Sequence, residues 1–284
     1  MTQPSQVRMS VVIPAYNAAS TIAEQLDALE HQVDAPSFEV IVADNRSTDG
    51  TAEVARRHAG ELSLRVVDAH RRQGVNCARN EGARAAEGEY IVLLDADDRA
   101  GASTLALFCA ALDADPGIGV VSGIIEGSSL DRAQTPVQGY LPYALGGFQA
   151  IRGTALREVG GFDEDFVGGH DEVDFCWRLQ QRGWRIAVVP EATLDRRERP
   201  TLGAAFTQFR RYGFTYIQLY VKHRDRALLR GGSWKKEVRS VQDLLLEARA
   251  VLARRQPPID LARTLGWTLG RWQGNLAFRV WGPR

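Results

Sequence analysis

The sequence predicts an α/β protein, a mostly parallel sheet covered by helices, with a helical C-terminal extension. Three observations carry this reading. Short, unbroken apolar runs recur four times in the first 94 residues, each ahead of a polar stretch. Segments of helical character separate them, and strands covered on both faces read as continuous apolar runs. After Thr201 no strand pattern returns. The expected division is residues 1–200 for the sheet domain and 201–284 for the extension.

Met9 to Pro14, "MSVVIP", is apolar and β-branched, the pattern of a buried strand. "NAAST" turns the chain. Thr21 and Glu24 have capping-box spacing, and Ile22, Leu26, Leu29 and Val33 recur at helical intervals. Phe38 to Ala43 reads as a second strand, ending in "DNRSTDG". There Ser47 and Thr48 are read as caps of a helix from Thr51 to about His58. Leu64 to Val67 is a third strand, Gly74 to Ala86 an Ala-rich helix, and Tyr90 to Leu94 a fourth strand. A helix over Ser103 to Leu112 and a strand over Ile118 to Ile124 follow. Residues 126–147 read as an irregular, mobile loop. Thr154 to Val159 is a short helix closed by Gly160 and Gly161. "HDEVDFCWRLQQRG" is a helix ending at Gly183, and Ile186 to Val189 a strand halted by Pro190.

The 35 basic residues balance the 35 acidic ones, so no whole-protein field points to nucleic acid. Cys77, Cys109 and Cys176 are widely spaced with no CxxC, which argues against a disulfide framework or zinc site and for a reducing cytoplasm. The N-terminal stretch is too polar for a signal peptide, and no apolar run reaches the roughly 18–20 residues of a membrane span. The basic residues become denser after Asp195. Trp234, Trp267, Trp272 and Trp281 lie among Lys and Arg, and Leu261 to Val280 sets Trp and Leu beside Arg, as interfacial helices do. Peripheral contact with the inner membrane face, a homodimer contact and a lid over an acceptor are the readings of this segment. "VQDLLLEARAVL" has an apolar face and is expected to pack on the catalytic domain.

"YIVLLDADDRA", residues 90–100, places Asp95, Asp97 and Asp98 directly after a strand. Carboxylates this close repel unless a positive charge sits among them. Parallel sheets place ligands at the carboxyl ends of their strands, where "PAYN", "DNRSTDG" and "DADD" converge. Hard oxygen ligands in this arrangement suit Mg²⁺ or Mn²⁺ holding a diphosphate.

"VVIPAYN", "VIVADNRSTDGT", "GVNCARNEG", "YIVLLDADD" and "GGHDEVDFCWRLQQRGWRIAVVPEA" occur in order over roughly residues 9–215. In this the chain resembles the GT-A glycosyltransferases, specifically inverting family 2. The resemblance implies a nucleotide site at Pro14, Ala15, Tyr16, Asn17 and Asp44, with Gly74, Ala78, Asp95 and Ala96. Asp44 would accept from the base's ring N–H, and Tyr16 would pack on the base. Arg79 either pairs with a phosphate or braces Asp95. Asp97 is the implied metal ligand, and Asp98 a structural acid. Family members often carry a His after the last core strand. Asp195 stands there in this chain, as a metal ligand or a solvated loop acid. The family's Glu-Asp-x-Asp reads Asp171-Glu172-Val173-Asp174 here. By register Glu172 is the base, with Asp171 the competitor. Asp174 and Arg178 are read as a structural ion pair. Gly161, Trp177, Arg211 and Tyr212 are the implied acceptor side. "QFRRYG" resembles the Gln-x-x-Arg-Trp element of processive synthases, with Tyr212 in place of Trp. The activity implied is non-processive transfer from a UDP- or dTDP-sugar to an acceptor hydroxyl. The competing readings are a non-catalytic nucleotide-sugar-binding module and a sugar nucleotidyltransferase. The latter would need a Gly-rich basic loop that "IPAYNAAS" lacks.

Overall fold

The predicted apolar runs form strands β1 (Met9–Ala15), β2 (Phe38–Asp44), β3 (Leu64–Asp68) and β4 (Tyr90–Leu94). They are joined by β5 (Arg99–Ala100), β6 (Ile118–Ile125), β7 (Phe148–Arg152) and β8 (Arg185–Asp195). The computed structural model describes residues 7–127, 136–197, 201–225 and 257–280, together with 242, 244–246, 248–249, 251 and 253. Two compact units result. One comprises residues up to 135 with 142–164 and 172–197, the other 136–141, 165–171 and 198–284.

The first unit is built on one sheet in the order β3-β2-β1-β4-β7-β6-β8-β5. Every residue of β1 and β4 is buried, as a strand covered on both faces requires. Leu26, Phe108 and Phe148 fill one side of the sheet, and Ile41, Ile151 and Phe175 the other. Each such side chain contributes about 1.5–3 kcal/mol on leaving water. Helices α1 (Ile22–Glu30), α2 (Thr51–Arg56), α3 (Val75–Ala85), α4 (Thr104–Ala114), α5 (Gly153–Glu158) and α6 (Asp171–Gln181) complete this part of the chain. The register pairs Ala15 with Asp44 and Asp44 with Asp68, so three loops leave the sheet at one edge.

Several local expectations are corrected. Phe148–Arg152, not foreseen as a strand, inserts antiparallel between β4 and β6. β8 does not stop at Pro190 but runs to Asp195, with a register shift against β6 between Ser122 and Ile124. An irregularity of this kind lets a strand carry a residue with no N–H to donate. Thr21 forms no capping box: its hydroxyl donates to the Ala18 carbonyl, and α1 ends at Glu30 with Val33 52% exposed. Nor do Ser47 and Thr48 cap α2. Its N-cap is Gly50, at φ 86°, and Asp49 accepts from the Thr51 N–H instead.

The second unit contains α7 (Leu202–His223) and α8 (Pro258–Phe278). Thr201 caps α7, accepting from the Ala204 N–H. Gly266, Gly270 and Gly274 recur every four residues and form the buried seam of α8. A β-carbon at Gly266 would lie 3.0 Å from the Arg210 nitrogen, and one at Gly213 would lie 2.9 Å from the Arg271 nitrogen. The two backbones therefore touch, as small residues at every fourth position permit. Leu245 and Leu246, from "VQDLLLEARAVL", are exposed. Trp234, Trp281 and residues 128–135 of the predicted loop lie outside the described residues.

Candidate active site

The first-strand loop leaves Tyr16 57% exposed, so it is no core aromatic. Pro14 and Ala15 are buried beneath it. Asn17, at φ 50°, joins this loop to the second one: its side-chain oxygen accepts from the Thr48 N–H at 2.8 Å, and its own N–H donates to the Ser47 hydroxyl. Asp44 is 9% exposed at the end of β2. Its Oδ2 lies 3.3 Å from His70 Nε2, while its buried Oδ1 has no hydrogen-bond partner. A buried acceptor in that state calls for a donor.

Asn45, absent from the predicted set, organises this corner. Its amide donates to the Arg72 carbonyl, and its Oδ1 accepts from the Gly74 N–H at 2.7 Å. Gly74 opens α3 at φ 143°. Asn45 was readable only as one polar loop residue among several. What distinguishes it is burial, at 2% exposure. Ala78 is buried behind this turn and Ala96 behind the acids.

Asp95, Asp97 and Asp98 offer carboxylate oxygens within 4.8 Å of one another. Arg79, 5% exposed, approaches Asp95 at 3.3 Å. Burial pushes the Asp95 carboxyl above its ordinary range, Arg79 opposes this and Asp97 adds to it. About a third of its side chain remains exposed (33%), which tempers the desolvation. Asp98, more deeply buried, is pushed up to about 6 by burial and by Asp95 and Asp97. The Arg197 N–H donates to it at 3.1 Å, and the Arg196 guanidinium lies 3.8 Å away. Three carboxylates this close offer hard oxygen ligands, a chemistry that suits a divalent ion. Asp195 does not join it: Arg99, facing it across the β5–β8 ladder, takes its carboxylate.

Gly146 and Gly147 connect the acids to the expected base. A β-carbon on Gly147 would overlap the Asp95 carboxylate, and one on Gly146 would lie 3.0 Å from Glu172 Cβ. One glycine pair therefore packs against both groups. Gly147→Ala is expected to displace Asp95 and weaken nucleotide binding by at least tenfold, about 1.4 kcal/mol, with little change in melting temperature. Calorimetric titration with UDP or GDP checks it, and unchanged affinity would remove Gly147 from the site.

Glu172 is part-exposed in the first turn of α6, whereas Asp171 is 3% exposed. Asp174 is fully buried and pairs with Arg178 at 2.9 Å. Asn80 holds the Gly161 turn (φ 77°), accepting from the Phe162 N–H and donating to its carbonyl, each at 2.9 Å. Trp177 is fully buried and offers an acceptor no surface, which corrects that expectation. In the second unit, Arg211 packs on Gly168 and Tyr212 on Gly169, just ahead of α6. His170, at φ 59°, lies 3.0 Å from the Thr215 hydroxyl among Tyr212, Tyr216 and Trp267, and burial lowers its pKa to about 4.

The family model described as Glycosyl transferase family 2 matches residues 10–180. The chain belongs to glycosyltransferase family 2. A second model, Glycosyl transferase family group 2, matches residues 132–272. Among family 2 relatives, the pre-mycofactocin glycosyltransferase of Mycobacterium tuberculosis is 30% identical over 249 residues, 78% of this chain and 50% of that protein. The chain therefore spans about half the length of that relative. The amylovoran biosynthesis glycosyltransferase AmsB of Erwinia amylovora is 30% identical over 207 residues, 65% of this chain and 68% of AmsB. The mannosyltransferase PcManGT of Pyrobaculum calidifontis, solved with GDP-Man and Mn²⁺, superposes with a TM-score of 0.69 at 24% identity, covering 96% of this chain and 90% of that one. S. aureus TarS 1-349 with UDP-GlcNAc gives a TM-score of 0.61 at 23% identity, covering 79% and 68%. These likenesses show the GT-A fold.

Proposed function

We propose that this chain moves a sugar, with inversion and one residue at a time, from a nucleoside-diphospho-sugar to an acceptor hydroxyl. The observation that carries the proposal is the Asp95–Asp97–Asp98 group at the carboxyl end of β4, packed through Gly146 and Gly147 beside Glu172. Asp44 would accept from the base through its unpartnered Oδ1, with Tyr16 against the base and Asp95 toward the ribose. Asp97, with Asp98 beside it, would hold Mg²⁺ or Mn²⁺. When bound, the ion offsets negative charge on the departing diphosphate. Glu172 removes the proton of the attacking hydroxyl, and its partial exposure lets an acceptor reach it. Two solved neighbours are in complex with donors of this kind, TarS with UDP-GlcNAc and PcManGT with GDP-Man. UDP- or dTDP-sugars are the donors we favour. The acceptor side would involve Gly161 in the first unit. The C-terminal helices would supply a partner surface, for a membrane face or a second copy. The place of action would be the cytoplasm, peripheral at the inner membrane face.

A thermal-shift panel of UDP-, dTDP- and GDP-sugars, with and without Mn²⁺, tests the reading. Saturation at about 100 times Kd adds about 2.7 kcal/mol, which raises the melting temperature by several degrees. Uracil- and thymine-containing donors should give the larger rise, and only with Mn²⁺. No response to any nucleotide diphosphate would sink the proposal. Binding without turnover over a broad acceptor set would leave a non-catalytic module.

A further inference from the structure

Nine large hydrophobic residues are exposed among the described residues, and seven of them belong to the second unit. Three form one stripe along α8: Leu265 at 43%, Trp272 at 44% and Leu276 at 81% exposure, seven and four residues apart. The helix is turned opposite to a core helix. Its glycines, Thr268, Arg271 and Asn275 are buried, while Leu265, Trp272 and Leu276 meet water. Single exposed leucines need no explanation, but a stripe on one helix face does. No described helix is long and apolar enough to cross a membrane, so the stripe is not part of a span.

The charge on the same helices is one-sided. α7 contains no acidic residue, and α8 contains one, Asp260, which pairs with Arg263 at 3.2 Å. Against it stand Arg210, Arg211, Lys222, Arg263 and Arg271, with Arg279 closing α8. This local excess arises in a chain whose total charge is zero. Two of these cations, Arg210 and Arg211, also adjoin the stripe. An open cleft of about 430 Å³ is lined by Arg210, Arg211, Phe214, Val167, Gln273 and Ala277, the last adjacent to Leu276. A cation-lined cleft bordering an exposed Leu and Trp stripe matches a surface that is anionic at the headgroups and apolar just below.

We propose that the outward face of α8 docks on the anionic surface of a lipid bilayer. Leu265, Trp272 and Leu276 enter the headgroup–acyl boundary, and Arg210, Arg211 and Arg279 meet lipid phosphates. A second copy of the chain is the poorer occupant. The same Arg-rich, acid-poor face would meet itself and oppose like charges, whereas lipid phosphates compensate it. The inference does not depend on the sugar-transfer reading, because it concerns binding alone.

Flotation of the full chain with vesicles tests it, using phosphatidylcholine alone and phosphatidylcholine with about 30% phosphatidylglycerol. The protein is expected to float with the anionic vesicles at about 0.05 M salt, and progressively less as salt screens the arginines. Leu265→Glu with Leu276→Glu should weaken flotation by about tenfold or more, since each leucine's transfer free energy is lost. The Leu265→Gln, Leu276→Gln pair, which adds no charge, should weaken it as well. Circular dichroism and melting temperature should stay unchanged for both pairs. A full chain that ignores anionic vesicles at low salt overturns the proposal, as does undiminished flotation of both variant pairs. A concentration-dependent dimer that Leu276→Glu dissolves, without flotation of the unaltered chain, assigns the stripe to self-association and overturns it too.

Discussion

Glu172→Gln is expected to cut turnover by about 10²–10⁴-fold while donor affinity changes little. At 1.36 kcal/mol per factor of ten, this removes about 2.7–5.4 kcal/mol of transition-state stabilisation. The substitution keeps shape and removes the proton acceptor. Glu172 is favoured over its neighbour because it is part-exposed beside Gly146, whereas Asp171 is 3% exposed and cannot meet an acceptor without rearrangement. Steady-state kinetics and donor titration on Glu172→Gln and Asp171→Asn separate the two. If Asp171→Asn is inactive with intact folding and Glu172→Gln turns over normally, Asp171 is the base.

Asp97→Ala should lower transfer by at least about 10²–10³-fold, the usual cost of losing one preorganised electrostatic element. It should also erase the gain in nucleotide affinity that Mn²⁺ confers, a readout that needs no turnover. Asp98→Asn should weaken the Mn²⁺ gain in part, because its carboxylate completes the group. Asp195→Ala should leave the gain in place, since Arg99 already holds that carboxylate. Full activity in excess chelator would refute metal dependence, and loss of the Mn²⁺ gain in Asp195→Ala alone would return that residue to the metal site.

What the sequence determined by itself is the set of strands and their polar ends. A strand buried on both faces is largely apolar, so β1, β2 and β4 stand out in any reading of "MSVVIP", "FEVIVA" and "YIVLL", and the buried exceptions, Ser10 and Glu39, hydrogen-bond each other. The acids after them follow directly, since ligands gather at that edge of a parallel sheet. The Asp174–Arg178 pair was legible for the same kind of reason, a four-residue spacing on a helix. Tertiary structure alone decided the partners of the polar groups. Capping-box spacing at Thr21 and Glu24 could not show that Arg197, 173 residues away in sequence, pairs with Glu24. Nor could a carboxylate at Asp195 reveal that β5 would set Arg99 against it. Gly147 beside Asp95 and Gly146 beside Glu172 are contacts between segments far apart in the chain, and a glycine's need for space depends on what arrives there. The α8 helix makes the point most plainly. Its Trp and Leu beside Arg read as an interfacial helix, but that pattern could not show which residues pack on the neighbouring helix. The glycines turn inward, because only they let two helix backbones touch, and that close packing leaves Leu265, Trp272 and Leu276 facing water.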